Sequence, residues 1–159
     1  MKAKPIKRRN MGRRSEQGQS LVEFAAGVVV LVIIVSGVLD LGRAFFTLVA
    51  IENGAGEGAI FASYHPAWVT EQDAQDGGSS WPEIENVTYR ARHESPSGLV
   101  DPNLMTVSVE HPPTLQTGEH ITVSVTYSYT VMTPFLHILV QGGMMPLTAE
   151  ATQVIVNVD

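Results

Sequence analysis

Gly18-Gln19-Ser20-Leu21-Val22-Glu23-Phe24 places one carboxylate at the head of an apolar run that carries no charge from Phe24 to Leu39. Just upstream lies a dense basic cluster of Lys2, Lys4, Lys7, Arg8, Arg9, Arg13 and Arg14. Leu21 to Leu39 is 19 residues. As a helix it rises roughly 28 Å, close to the thickness of a hydrocarbon core. A removable secretory signal would be shorter and would end in a small-x-small site before a polar segment. Here Asp40, Leu41, Gly42 and Arg43 interrupt the run, and Ala44-Phe45-Phe46 resumes it. The pattern predicts a retained membrane helix. A lone acid in such a helix costs on the order of 2–3 kcal/mol near the bilayer centre and less at its edge. Glu23 therefore needs a use.

The distribution of charge says more than the net value of −6. Seven of the ten Lys and Arg residues precede Gly18, whereas fifteen of the sixteen Asp and Glu residues follow it. By the positive-inside rule the amino terminus stays in the cytoplasm and the acidic remainder is exported, so the expected location is a single pass of the inner membrane. Cleavage after Gly18 would leave a product near −12. Such a domain is a poor electrostatic partner for nucleic acid or anionic lipid. With 159 residues there is room for a leader, one long helix and one modest ectodomain. There is no cysteine, so no disulfide staples the exported part.

The helix is expected to continue past the membrane. No proline falls between Pro5 and Pro66, and Leu41, Phe45, Leu48, Ile51 and Ile60 or Phe61 recur at helical spacing. Asp40 and Arg43, three residues apart, can pair across one turn at the outer boundary, or can simply mark it. Ala50, Gly54, Gly58 and Ala62 form a small-residue stripe at four-residue spacing, which lets another backbone come close. Gly54, Gly56 and Gly58 also weaken a helix, so the segment either packs tightly or bends; packing is the expectation.

From His65 onward the chain reads as a small α+β unit. Residues 65–78 are polar and punctuated by Pro66, Gly77 and Gly78, which predicts a loop. Ser80 and Glu83 make a capping box for a helix from Trp81 to about His93, with Ile84, Val87 and Ala91 on one face. Ser95-Pro96-Ser97-Gly98 breaks the chain. Three strands follow. Met105, Val107 and Val109 alternate with polar residues, and Ile121, Val123, Val125, Tyr127, Tyr129 and Val131 do so strictly, which gives one buried and one wetted face. Residues 134–140 form a short apolar helix or loop. The last strand, Leu147 to Val158, presents Val154, Val156 and Val158 on one face. The distal helix is expected to pack on this three-stranded antiparallel sheet.

Enzyme chemistry finds little support. His65, His93, His111, His120 and His137 are scattered, with no two at metal-ligand spacing. No Gly-x-Ser-x-Gly elbow surrounds a serine, and the glycines from Gly54 to Gly58 follow no strand that would make them a phosphate loop. Glu71, Asp73 and Asp76 miss the EF-hand order. Trp68 and Trp81 are expected to fill the domain core or to form a surface pair. No catalytic residue, cofactor or metal is expected.

Three stretches carry a resemblance: Gly18-Gln19-Ser20-Leu21-Val22-Glu23-Phe24-Ala25, Leu39-Asp40-Leu41-Gly42-Arg43-Ala44-Phe45, and Asn53-Gly54-Ala55-Gly56-Glu57-Gly58-Ala59 with Ala62. In this order and spacing, residues 18–63 resemble the TadE family of pseudopilin-like proteins, which accompany the Flp or Tad type of bacterial pilus. The chain departs from the pattern at Gly56 and Ile60, where similar members often carry Arg. The resemblance implies cleavage by a prepilin peptidase between Gly18 and Gln19, and work beside other pilin or pseudopilin subunits and the Tad secretion machinery. Independently, Glu23 lies one turn, about 6 Å, beyond Gln19. A staggered neighbour's new ammonium group could meet that carboxylate and offset the burial penalty of both. The alternative is a glutamate that reaches the headgroups and favours the helix start. The expected division is a leader over 1–18, a membrane and stalk helix over 19–64 and an extracytoplasmic α+β domain over 65–159. The function expected is a pseudopilin or minor pilin. The alternatives are a major filament subunit, or a single-pass anchor displaying a ligand-binding sheet domain.

Overall fold

Helix α1 runs unbroken from Gly12 to Tyr64. Nothing in its sequence removes a backbone donor, and the helix ends two residues before Pro66, the first proline that could stop it. The computed structural model describes residues 12–93, 100–138 and 140–158, with helix side chains from Gly18 onward. The basic cluster of the leader and the break at residues 95–98 lie outside the described side chains and residues. The chain divides into two compact units, one taking in the helix up to Leu39 and the other Asp40 onward.

In the first unit every residue from Leu21 to Val35 is exposed, although nearly all are apolar. Among the described residues α1 is the one helix long and apolar enough to cross a membrane. Its length and its apolar, uncovered surface are consistent with a single membrane pass.

The second unit is α+β. Strands β1 (Met105–Glu110), β2 (His120–Thr130) and β3 (Met144–Val154) form one antiparallel sheet in the order β1-β2-β3. Tyr127 of β2 stands opposite Met105 on one side and Leu147 on the other. The strict alternation of β2 buries Ile121, Val123, Val125, Tyr127 and Tyr129. Its hydroxyl residues face outward, where Thr122 meets Thr152 at 2.8 Å and Thr126 meets Thr148 at 3.1 Å.

The distal part of α1 packs on the apolar face of this sheet through Thr47, Ala50, Ile51, Ala55, Ala59 and Ala62. It runs opposite to β2. Asp40 meets the end of β2, Gly58 lies against Val123, and the Ser63 carbonyl accepts from Val156 N–H at 2.8 Å beyond β3. Leu48 and Phe61 are half-buried. Leu41, Phe45 and Ile60 are exposed, contrary to the expected packing stripe. The sheet came down on the face whose small side chains admit it closely, and those bulky residues lie on other sides of the helix.

Two helical turns differ from expectation. Helix α2 (Glu71–Asp76) forms within the expected loop, nucleated by a complete capping box between Thr70 and Asp73. The Ser80–Glu83 pair caps nothing. Instead Ser79 Oγ donates to Glu85 at 2.5 Å, and helix α3 covers only Val87–His93, with Asn86 Oδ1 accepting from Tyr89 N–H at 2.8 Å. Val87 and Ala91 are buried as expected, whereas Ile84 is exposed. Trp81 is also exposed and does not fill the core, while Trp68 stacks on His65 at 4.3 Å.

The last strand begins earlier than expected, at Met144, and ends at Val154. Val154, Val156 and Val158 are exposed, and Ile155 is the buried residue. Ile155 N–H donates to Glu119 at 2.8 Å, and Val156 N–H turns to Ser63 of the helix. The three valines continue the outward phase of Met144, Thr148, Glu150 and Thr152, and Ile155 the inward phase of Leu147, Ala149 and Ala151.

Candidate functional site

The amino-terminal features sit on a plain stretch of helix. Gly18, Gln19 and Glu23 are all exposed, and a Cβ at Gly18 would meet nothing within 4 Å. The Gln19 carboxamide donates to Glu23 Oε1 at 3.1 Å, one turn on. The Glu23 carboxylate thus has a neutral donor on its own helix. Glu23 is left as the outward-facing charge on an apolar cylinder.

Asp40 is different. It is only 6% exposed and joins the helix to the sheet. Its Oδ2 accepts the Thr133 N–H at 2.7 Å and its Oδ1 accepts the Met132 N–H at 3.2 Å. The Thr133 hydroxyl adds a further bond to the carboxylate. The Asp40 backbone carbonyl, in turn, accepts the Tyr129 phenol at 3.0 Å. Arg43 stands one turn along, with Nη1 at 3.6 Å from Oδ1 and its guanidinium 5.6 Å from the centre of the Tyr129 ring. Burial alone would push the Asp40 carboxyl up, but the Thr133 and Met132 donors and Arg43 outweigh it and hold the group below its usual range. Burial pushes the Tyr129 phenol up, which keeps it a donor. Asp40 and Arg43 do come together, as their spacing suggests. The larger part of the arrangement lies in Tyr129, Met132 and Thr133, some 90 residues away in sequence, which the helix pattern could not reveal. One signal was present: Tyr127 and Tyr129 interrupt a run of aliphatic inward residues on β2, and a buried phenol needs an acceptor.

The small-residue stripe is buried at Ala50, Gly54, Gly58 and Ala62. A Cβ at Gly58 would stand 3.0 Å from the Ala91 Cβ of α3 and 3.2 Å from Val123 Cγ1 of β2. The backbone that comes close to the stripe belongs to the chain's own sheet domain. At Gly56, by contrast, a Cβ would meet nothing within 4 Å.

Among the described residues, no group of three or more histidines and carboxylates is placed to hold a metal ion. Asp73 is engaged by Thr70, and Asp76 by Gln72 at 2.9 Å. An open depression of about 220 Å³ lies between α2 and α3, lined by Thr70, Glu71, Glu83, Asn86, Thr88, Tyr89, Arg92 and His93. It mixes acids with a cation and encloses nothing, so it selects no ligand class.

The features that stand out thus cluster on α1. Residues 18–59 match the family model described as TadE-like protein. The TadE-like segment covers the Gly18-Gln19 pair, Glu23, Asp40, Arg43 and the stripe as far as Gly58. It stops before the sheet domain. No curated protein and no solved structure matches the chain.

Proposed function

We propose that this chain is a membrane-tethered pseudopilin or minor pilin of a Tad-type pilus, acting by protein–protein contact and not by catalysis. The observation that carries the reading is the TadE-like match over residues 18–59, which falls on the one apolar helix and its two acidic landmarks. In this reading a prepilin peptidase cuts between Gly18 and Gln19. The α-ammonium group of Gln19 on one copy then pairs with Glu23 of a staggered neighbour. The exposed carboxylate of Glu23, met by the neutral Gln19 carboxamide and, among the described residues, by no cation, supports that role. The basic cluster before Gly18 keeps the amino terminus in the cytoplasm, and the acidic sheet domain lies outside the inner membrane. The partners are other pilin-like subunits and the Tad secretion machinery.

Mass spectrometry of the protein extracted from membranes tests the reading. It should begin at Gln19. A chain that keeps Met1 or Lys2 would mean a plain single-pass anchor, and peptidase processing would be abandoned.

A further inference from the structure

The proposed cut leaves Gln19 as the first residue of the mature chain, and a glutamine in that place has a chemistry of its own. Its α-amine can reach its own side-chain carboxamide, because N, Cα, Cβ, Cγ and Cδ close into an unstrained lactam ring. A cut one bond earlier would expose Gly18, and one bond later Ser20. Neither residue carries a carboxamide.

In the helix the Gln19 side chain is held away from closure. Its Nε2 donates to Glu23 Oε1 at 3.1 Å. Glu23 lies one turn toward the carboxyl end, about 6 Å along the axis. Ring closure instead brings Cδ to bonding distance of the residue's own nitrogen, so the hydrogen bond to Glu23 must break first. Gln19 and Glu23 are both exposed, so the restraint on the carboxamide is this hydrogen bond and not packing. The bond uses Oε1, and Oε2 of the same carboxylate can serve a cation.

We infer that Gln19 is a self-modification site, and that Glu23 of the same helix retards the reaction by holding the carboxamide. The neutral α-amine attacks Cδ, the Cδ–Nε2 bond breaks, and ammonia leaves with the proton that the amine gives up. A neutral lactam, pyroglutamate, then ends the chain. The step needs no oxidant, cofactor or co-reactant. It deletes the terminal positive charge, the group that meets a neighbour's Glu23 in the proposed assembly. A paired subunit is protected twice. Its amine is held as an ammonium ion, which has no lone pair to attack with, and its carboxamide stays on Glu23. An unpaired subunit loses its pairing group with time, in one direction. The period over which it can still join a filament is therefore limited by its own chemistry. The inference rests on cleavage between Gly18 and Gln19.

The tryptic peptide 19–43 contains no other Gln and no Asn, so loss of ammonia from it reports on Gln19 alone. The processed chain would be extracted in detergent, kept as a dilute monomer near neutral pH and sampled by mass spectrometry over days. A growing fraction of the peptide should become lighter by one ammonia and should resist stepwise degradation from its amino end. In Glu23→Ala the rate should rise about two- to tenfold, the weight of one hydrogen bond. Glu23→Gln keeps an acceptor for the carboxamide and should stay near the wild-type rate. Subunits from sheared filaments should remain unclosed. A chain that begins at Gln19 and never lightens overturns the inference and leaves the processing intact. Equal rates in wild type and Glu23→Ala overturn the guarding role of Glu23. A chain that keeps Met1 overturns the processing, and the inference with it.

Discussion

Asp40 shows how one side chain can tie the distal part of a helix to the end of a sheet. Its carboxylate takes two backbone donors and a hydroxyl from the end of β2, and its own carbonyl takes the Tyr129 phenol. Hydrogen bonds to a buried charged group contribute about 1.5–3 kcal/mol each, and a donor left without an acceptor costs about as much. In Asp40→Asn one acceptor oxygen remains, and the amide NH2 points at the other donor. We expect the sheet domain to lose about 1–3 kcal/mol, read as a lower urea midpoint with unchanged slope. The pH dependence has a definite sign. Because the folded carboxyl is held below its ordinary value of 3.8, Asp40 contributes fully above that value. The contribution fades as pH falls through the lower folded value. The gap between wild type and Asp40→Asn should therefore be constant near neutrality and close in acid. A gap that widens in acid would mean that Asp40 is protonated in the native domain.

At the scale of elements, the seam between α1 and the sheet depends on small residues. The absent Cβ of Gly58 leaves room for Ala91 and Val123, so Gly58→Leu should cost about 1–3 kcal/mol by overpacking. Gly56, two residues away, faces open space, and Gly56→Ala should gain up to about 1 kcal/mol through helix propensity. Urea midpoints of the two variants should move in opposite directions. If Gly58→Leu is neutral, the seam is looser than its geometry indicates. The stripe was legible because small residues at four-residue spacing mean close approach whatever the partner is, and the sheet was legible because β2 alternates without an exception. The side of the helix that faces the sheet was less so. Bulk alone pointed to Leu41 and Phe45, but closeness of approach decided, and those residues stayed exposed. Thr70–Asp73 and Ser80–Glu83 offered the same capping signature, and only the first became a cap. The second was pre-empted when Ser79 bonded Glu85 and Asn86 took over the start of α3. Val154, Val156 and Val158 do share a face, as their alternation implied, but it is the outward one, and β3 ends at Val154, beyond which the Val156 N–H turns to Ser63.

For the molecule as a whole, two acids on one helix have opposite fates. Asp40 is satisfied within its own chain, whereas Glu23 is exposed on an apolar cylinder with the neutral Gln19 carboxamide as its donor. A charge near the edge of the hydrocarbon costs less than the roughly 2–3 kcal/mol of the bilayer centre, so in the proposed membrane-tethered subunit Glu23 is tolerated by reaching toward the headgroups. The proposed assembly changes the terms: if neighbouring helices displace lipid and water, that escape closes, and the carboxylate needs a cation at a fixed stagger. Proteolysis after Gly18 would supply one at the same depth. Glu23→Ala removes an unfavourable group from the monomer, so insertion and cleavage should be unchanged or slightly better. Pilus output should nevertheless fall, because the neighbour's ammonium group then has no partner and the stagger has no preferred register. Glu23→Gln separates charge from hydrogen bonding: it keeps the shape and an acceptor, and should assemble as poorly as alanine if the ion pair sets the register. Quantifying sheared surface filaments together with membrane-extracted, processed subunit in the same cells checks both variants. Normal filament yield in Glu23→Ala would remove the pairing role. Normal yield in Glu23→Gln alone would reduce it to a neutral hydrogen bond.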